Sequence, residues 1–312
     1  MKPQANISPH KIQPCDLCGA RDAEFVLATP RLDGPLVRCR QCQLYFVSKP
    51  ESLRAERVSN PFADSLNAEA AAEMDRLAAR ARELALVEPQ VEADEQPWRA
   101  LVAQERLAEL RRFVTGGRLL EVGCSTGEML AAANEASFEA IGVEADAQTS
   151  AVARERGLQC VNGTLFDAHF PAEHFDAAVL YHVIEHLPSP VAAVRELHRI
   201  LKPGGWLVLE APNIATFWFR LLGARWRQFI PDHVFFFSPA TLTRLCEANG
   251  FVVRAQHSAG KAMSVRLFVS RLGRFNRPLA ALLNRVSQRA GLDDRTLHLK
   301  LGDVLRVYAQ KP

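Results

Sequence analysis

From residue 118 onward, short apolar segments alternate with helical ones, and this alternation constrains the fold more than any other feature of the chain. The apolar segments are RLLEVG, FEAIGVEAD, LQCVNG, FDAAVLY and WLVLEAPN. Strands that are connected through helices run parallel, and a parallel sheet has to be covered on both faces. The alternation therefore predicts an α/β fold with a mostly parallel sheet and helices on both of its faces.

The charge balance and the lack of long apolar runs limit the classes of function. The net charge is +3, from 38 Lys and Arg against 35 Asp and Glu, which is too balanced to indicate a nucleic-acid partner. No apolar run approaches the roughly 20 residues that span a bilayer, and the N-terminal MKPQANISPHKIQP lacks the apolar core of a signal peptide. We therefore expect a cytoplasmic location, where the seven Cys would be thiols or metal ligands.

Four of these Cys form two close pairs near the N-terminus. Cys15 and Cys18 lie in CDLC, and Cys39 and Cys42 lie in CRQC, with 20 residues between the two pairs. This spacing is typical of a zinc ribbon, in which four thiolates bind a structural Zn²⁺. The surrounding segment has too little apolar material to hold itself together without the ion. The sequence therefore predicts a small N-terminal zinc ribbon over residues 1–50.

Helix-forming patterns divide the rest of the chain. Residues 51–115 are expected to form a helical linker or lid, with one helix over 98–114 after an acidic, Pro-bounded linker at 88–97. Residues 116–312 form the main domain, with a basic helical insertion at about 261–300 that carries nine Lys and Arg against two Asp. Three roles stay open for the insertion: a lid with a solvated basic face, a cover over an anionic substrate, and peripheral contact with an anionic membrane.

The turn after the first strand of the main domain has the pattern E-x-G-x-x-x-G. Its glycines, Gly123 and Gly127, let the backbone approach a ligand closely, and the start of the next helix offers free N–H groups. The pattern matches neither G-x-G-x-x-G nor a P-loop. Glu144 ends the second strand about 20 residues further on, where an acidic residue binds ribose hydroxyls in open α/β sheets. The sequence therefore predicts a nucleotide-like ligand at the carboxyl ends of these strands.

Taken in order, these segments resemble class I S-adenosylmethionine-dependent methyltransferases. The similarity covers about residues 100–260 and the last strand, and it is carried by LLEVGCSTGEML, GVEAD, FDAAVLYHVIEHLPSPVAAVRELHRILKPGGWLVLEAPN and DHVFFFSPATLTRLCEANGF. The resemblance implies a Rossmann-like, seven-stranded sheet with an antiparallel last strand, and S-adenosylmethionine as cofactor. The turn would face its methionine part, Glu144 its ribose, and Thr164 and Leu165 its adenine. The cofactor-binding residues that it implies are Glu121, Gly123, Cys124, Ser125, Thr126, Gly127, Glu144, Ala145, Thr164, Leu165 and Tyr181.

Three histidines are candidates for a base or for orienting the substrate. His182 and His186 follow the fourth strand, beside the position that the resemblance gives the methyl group, and His233 resembles a histidine near the acceptor pocket of related enzymes. Alternatively, His186 packs against the next helix and His233 is a turn residue bonded to backbone. The pattern H-x-x-E-H at 182–186 is also that of inverted zinc peptidases, which need a continuous helix. Here it follows a strand and runs into Pro188 and Pro190.

The acceptor is expected to be a small molecule. Family members that methylate amino groups often carry Asn/Asp-Pro-Pro-aromatic after the fourth strand, whereas this chain has YHVI. CRQCQLYFVSKPE resembles the second knuckle of ribbons that precede certain sugar C-methyltransferases, although Gln43 stands where Gly is usual. These features favour C- or O-methylation of a nucleotide-linked sugar or a glycan or lipid precursor. The alternatives are a zinc-ribbon RNA methyltransferase and a non-catalytic, cofactor-binding interaction module.

Overall fold

A computed structural model describes residues 13–48, 89–273, 277–293 and 295–312. The first twelve residues of the predicted ribbon, and residues 51–88 of the predicted linker or lid, lie outside the described residues. Three antiparallel strands form the N-terminal part: β1 (Ala23–Leu27), β2 (Leu36–Cys39) and β3 (Tyr45–Val47).

The remaining elements alternate between helix and strand as far as β8, except that β7 follows β6 with no helix between them. The first half comprises α1 (Pro89–Leu110), β4 (Gly117–Val122), α2 (Glu128–Glu135), β5 (Phe138–Glu144), α3 (Ala147–Glu155), β6 (Gln159–Asn162), β7 (Phe175–Tyr181), α4 (Pro190–Ile200) and β8 (Leu201–Pro212). The second half comprises α5 (Phe217–Leu222), β9 (Phe235–Phe236), α6 (Pro239–Glu247), β10 (Val252–Ser258), β11 (Lys261–Ser264), α7 (Val265–Leu272), α8 (Arg277–Arg289), β12 (Thr296–Leu299) and β13 (Val304–Gln310). A short 3₁₀ turn at Gly223–Arg225 follows α5.

Seven strands form the main sheet in the order β10-β13-β8-β7-β4-β5-β6. The strands from β8 to β6 pair in parallel, and β13 is antiparallel to both of its neighbours. The predicted seven-stranded, mostly parallel sheet with an antiparallel last strand is therefore confirmed. Neighbouring residues of a strand enter different cores: Leu119 packs with α1 and α2, and Leu120 packs with α4 and α6. This is why the central strands are apolar at almost every position.

The N-terminal strands are joined to the main domain by backbone pairing. β3 pairs with β9, so that Phe46 lies opposite Phe235 in a four-stranded sheet β1-β2-β3-β9. Asp16 adds a second connection at the start of α4, where its carboxylate accepts hydrogen bonds from Val191 N at 2.9 Å and from the Ser189 hydroxyl at 2.7 Å. A side chain of the Cys-containing segment therefore caps a helix of the main domain.

Two local predictions are corrected by the structure. α1 begins at Pro89 and ends at Leu110, so the predicted linker at 88–97 is wrong; Pro89 fits the first turn of the helix, where the N–H that proline lacks would have no partner. The basic insertion contains the two expected helices, α7 and α8, but also the unpredicted strands β11 and β12, which pair with each other at its two ends. Among the helices in the described parts of the chain, none combines the length and apolarity that crossing a bilayer requires.

The contact of Asp16 with α4 gives a stability prediction. Asp16→Ala should lower the free energy of unfolding by about 1–2 kcal/mol, because it removes the cap on α4 and leaves Val191 N–H without this acceptor. Urea unfolding monitored by circular dichroism measures the change. Asp22→Ala is the control, since its 3.3 Å ion pair with Arg40 lies at the surface. An equal loss in both variants would contradict the capping role.

Candidate functional site

A cavity of about 440 Å³ lies at the carboxyl ends of β4, β7 and β8. Such strand ends are the usual ligand site of an open α/β sheet. Side chains of α1 and α7 form its roof, among them Trp98 and Leu267, which pack together in one apolar cluster. The helices of the linker and of the insertion thereby reach the same cavity as the strand ends.

Part of the predicted cofactor turn lines this cavity: Glu121, Gly123, Cys124 and Ser125. The turn needs left-handed backbone, with φ of 73° at Gly123 and 86° at Gly127. Burial raises the pKa of Glu121 to about 8, and its Oε2 is buried without a hydrogen-bond partner. A polar oxygen at the cavity wall is therefore available to a ligand.

Tyr181 at the end of β7 also lines the cavity, whereas the other predicted cofactor residues do not. Glu144, Ala145, Thr164 and Leu165 are not among the residues that line the cavity, and neither are Thr126 and Gly127. The carboxylate of Glu144 accepts hydrogen bonds from Ser125 N at 2.8 Å and from Asp146 N at 2.9 Å. Thr164 N donates to Asp167 Oδ2 at 2.7 Å, which fixes the loop after β6. The acid at the end of β5 thus contacts the turn after β4, as neighbouring parallel strands require.

A buried ion cluster, which the sequence analysis did not identify, forms the other side of the cavity. Glu210 on β8 accepts hydrogen bonds from Arg106 Nη2 at 2.5 Å and from Arg306 Nε at 2.8 Å. Arg306 also donates to Glu109 at 2.6 Å, and Arg106 stacks over the ring of Tyr181 at 4.1 Å. Burial by itself would raise the pKa of Glu210, but Arg106 and the other cationic neighbours hold it well below its ordinary value of 4.5.

Signals for this cluster were present in the sequence. Glu210 ends the fifth strand of the predicted sheet, and Arg306 interrupts the apolar run VLRVY of the last strand. A charged residue within a buried strand requires a partner. The sequence could not pair them, because the antiparallel β13 brings Arg306 opposite Glu210 only in the folded sheet.

His182 is the candidate base that reaches the cavity. Its φ of 59° lies in the left-handed region, which is strained for a residue other than glycine. Its Nδ1 is 3.3 Å from Glu185 Oε1. Since a carboxylate only accepts, Nδ1 carries the hydrogen and Nε2 carries the lone pair in the neutral ring. Nε2 lies 3.2 Å from Glu210 Oε1 without the geometry of a hydrogen bond.

His186 and His233 lie behind His182 and are not among the residues that line the cavity. Their rings are 4.6 Å apart, and both neighbour the fully buried Glu185. Burial, and then His186, lower the pKa of His233 to about 4. The stretch 183–186 is a turn and not a helix, so the arrangement of an inverted zinc peptidase is not formed here.

The four N-terminal Cys converge on one point. Their sulfur atoms all lie within 4.8 Å of one another, as four ligands of a single ion would. The two Cys pairs have matching turns, in which Gly19 N donates to Cys15 O and Gln43 N donates to Cys39 O. Gln43 itself adopts φ of 66°, the left-handed conformation that glycine usually supplies at this position.

A family model described as a methyltransferase domain matches residues 93–256. A protein of Mycolicibacterium smegmatis named as a probable S-adenosylmethionine-dependent methyltransferase is 32% identical over 54% of this chain and 66% of its own length. A ubiquinone biosynthesis O-methyltransferase of Bordetella avium is 28% identical over 39% of this chain and 54% of its own length. The chain thus spans less than two thirds of either relative.

Solved structures share the fold at low identity. One chain from the complex between the Haloferax volcanii Trm112 methyltransferase activator and a methyltransferase is 16% identical, with a TM-score of 0.51, over 73% of this chain and 96% of that one. At this identity the likeness concerns the fold alone.

The ion cluster gives a second stability prediction. Glu210→Gln should lower the free energy of unfolding by about 3–5 kcal/mol, because Arg306 is left buried with its charge only partly compensated. The carboxylate stabilises the fold above its unfolded pKa, and this contribution is lost as the pH falls through the folded pKa, which lies well below 4.5. Urea unfolding measured from neutral to acidic pH should therefore show that the free energy of unfolding changes less with pH in the variant than in the wild type.

Glu139→Gln is the matched control for this experiment. Its ion pair with Arg118, at 3.2 Å, is on the surface, and 78% of the Glu139 side chain is exposed. Such pairs contribute about 0–1 kcal/mol. If the two variants lost similar amounts of stability, the buried cluster would not have the role inferred for it.

Proposed function

Because this chain belongs to the class I S-adenosylmethionine-dependent methyltransferases, we propose that it methylates an oxygen or carbon atom of a small molecule, such as a nucleotide-linked sugar or a glycan or lipid precursor. The observation that carries the proposal is the position of His182. It lines the cavity beside the Gly123 turn, and its buried Nε2 lies 3.2 Å from Glu210 Oε1 without the geometry of a hydrogen bond. An acceptor that must lose a proton needs such a group, whereas a neutral amine does not.

The residues of the turn fit the cofactor. S-adenosylmethionine, when bound, supplies a methyl group on a positively charged sulfonium sulfur. The unpartnered Glu121 Oε2 offers a hydrogen-bonding group to a ligand, and the left-handed Gly123 permits close approach of the backbone. Glu144 presents a carboxylate at the next strand end, where it is oriented by Ser125 N. These residues would bind and orient the cofactor.

In the proposed mechanism His182 takes the proton of the acceptor. Glu185 orients the ring through Nδ1, so that Nε2 is the atom that accepts the proton. The carboxylates of Glu185 and Glu210 stabilise the imidazolium that forms, since they lie 3.3 and 3.2 Å from its two nitrogens. The left-handed backbone of His182 is held by the hydrogen bond from its N to Glu210 O at 2.9 Å. The backbone hydrogen bond and the two carboxylates therefore hold the same residue, His182, in place.

The roof supports catalysis by limiting water. Methyl transfer requires the acceptor to be aligned with the sulfonium and shielded from competing solvent. Trp98 on α1 and Leu267 on α7 supply apolar surface above the strand ends. The insertion would then act as a cover for the acceptor, while its contact with an anionic membrane stays a prediction.

A small-molecule acceptor is supported over the alternatives. The O-methyltransferase name of the Bordetella avium relative favours an acceptor hydroxyl. An RNA methyltransferase would need a basic surface at the cavity, but Arg106 and Arg306 are both paired with Glu210 there. A non-catalytic module would have no use for the strained His182 at the cavity wall.

We also propose that the four N-terminal Cys bind one structural Zn²⁺. The convergence of their sulfur atoms supports this assignment, because unliganded thiols gain little from being brought so close together. The ion would stabilise β1–β3 and, through the pairing of β3 with β9, the segment that carries His233.

His182→Asn tests the base. Asparagine tolerates left-handed backbone, so the fold should be retained while the proton acceptor is lost. We expect kcat to fall about 10²–10⁴-fold, and the affinity for S-adenosylhomocysteine, measured by calorimetry, to change little. The acceptor panel should contain a nucleotide-linked sugar, a phenolic hydroxyl compound and a short RNA.

The control is His174→Asn, since His174 precedes β7 at the opposite end of the sheet and interacts with Arg118. Unchanged turnover of His182→Asn would exclude the base. If the wild-type protein did not bind S-adenosylhomocysteine in the micromolar range, that result would contradict the proposed methyltransferase activity.

Cys42→Ser tests the structural zinc. Removing one of four thiolates should release the ion from the cluster and lower the melting temperature, because binding of the ion is coupled to folding of the ribbon. Metal content is measured by plasma mass spectrometry after dialysis. Cys160→Ser, outside the cluster, should keep the wild-type zinc content. Equal zinc in both variants would rule out the four-Cys site.

A further inference from the structure

We propose that Glu185, His186 and His233 form a second metal site, separate from the four-Cys cluster, that binds Zn²⁺ or a similar divalent transition metal ion. Glu185 and His186 belong to the turn after β7, and His233 belongs to the segment before β9. One ligand atom of each residue lies within 4.8 Å of the other two. Two imidazoles and one carboxylate are the ligands of zinc sites that keep a fourth position open.

Both histidines are held in the tautomer that a metal requires. Nδ1 of His233 lies 2.8 Å from the carbonyl oxygen of Gln228, which can only accept, so Nδ1 carries the hydrogen. Asp232 selects the same tautomer at His186, where its carboxylate is 3.0 Å from Nδ1. In each neutral ring the lone pair is therefore on Nε2. Metal-binding histidines are typically oriented in this way by a carbonyl or a carboxylate.

Glu185 provides a second, independent observation. Its side chain is fully buried, and its Oε2 has no hydrogen-bond partner. A buried carboxylate oxygen without a partner is costly, and a cation at this point would satisfy it. The carbonyl oxygen of Glu185 also accepts hydrogen bonds from Val234 N at 2.9 Å and from Phe235 N at 3.1 Å. The two ligand-bearing segments are thus already fixed against each other.

The position of the site indicates what an ion bound there would do. The side chains of His186 and Asp232 are 29% and 38% exposed, so the outer edge of the site lies at the surface. Glu185 Oε1 is also the group that orients His182, at 3.3 Å from Nδ1. An ion bound here would hold that carboxylate in place, while His182 itself stays outside the ligand set.

Two variants with preserved hydrogen bonding test the site. His233→Asn and His186→Asn remove Nε2, but the amide nitrogen of asparagine can still donate to Gln228 O or to Asp232. Purified full-length proteins are incubated with Zn²⁺ and dialysed, and the metal content per chain is measured. Each variant should hold one equivalent less than the wild type, whereas His174→Asn should match the wild type. If the His233→Asn variant does not fold, the His186→Asn variant provides the same test, because His186 is partly exposed.

Co²⁺ substitution separates the two sites spectroscopically. Cobalt bound by four thiolates gives intense sulfur-to-metal charge-transfer absorption, and a site with two His and one Glu adds only weaker d–d bands. We expect His186→Asn to lose these weaker bands and to keep the charge-transfer band, and Cys42→Ser to show the reverse. Equal metal content and identical cobalt spectra in wild type and both His variants would overturn the proposal.

Discussion

The pairing of Glu210 with Arg106 and Arg306 is the interaction on which the geometry of the cavity depends. The three charges come from α1, β8 and β13, which are distant in the chain, and Glu210 and Arg306 are almost fully buried. Buried charges are tolerated only when they are closely paired. The cluster therefore fixes the helix of the roof against the strand ends, and it sets the distance between Glu210 and His182.

His182 connects this cluster to a second group of buried polar residues. Glu210 approaches one of its ring nitrogens and Glu185 approaches the other, so the ring lies between two carboxylates. Behind Glu185 lie the histidines that would bind a metal ion. Positioning of the proposed base thus extends from the cavity to the segment around β9, and a change in either group would alter the orientation of His182.

The Cys-containing segment is part of the same arrangement. β3 pairs with β9, and Asp16 caps α4, so the Cys-containing segment contacts the helix that follows the turn containing His182 and the strand whose Phe235 N donates to Glu185 O in that turn. The strands of the Cys-containing segment are therefore structurally continuous with the main domain through the pairing of β3 with β9.

The α/β class, the central strands and the convergence of the four Cys could be predicted from the sequence, because they follow from local periodicity and from ligand spacing, whereas the seven-stranded sheet was implied by the family resemblance. The sequence also predicted that the Gly turn after β4, Glu121 within β4 and His182 after β7 lie near one ligand, because the carboxyl ends of parallel strands share one edge of the sheet; all three line the cavity. Three contacts could not be predicted from the sequence, because each joins residues that are remote in the chain. They are the pairing of Arg306 with Glu210, the pairing of β3 with β9, and the approach of His233 to Glu185. The tertiary structure was needed to show which of the three candidate histidines lines the cavity, because burial and side-chain direction depend on packing between elements that are distant in the chain.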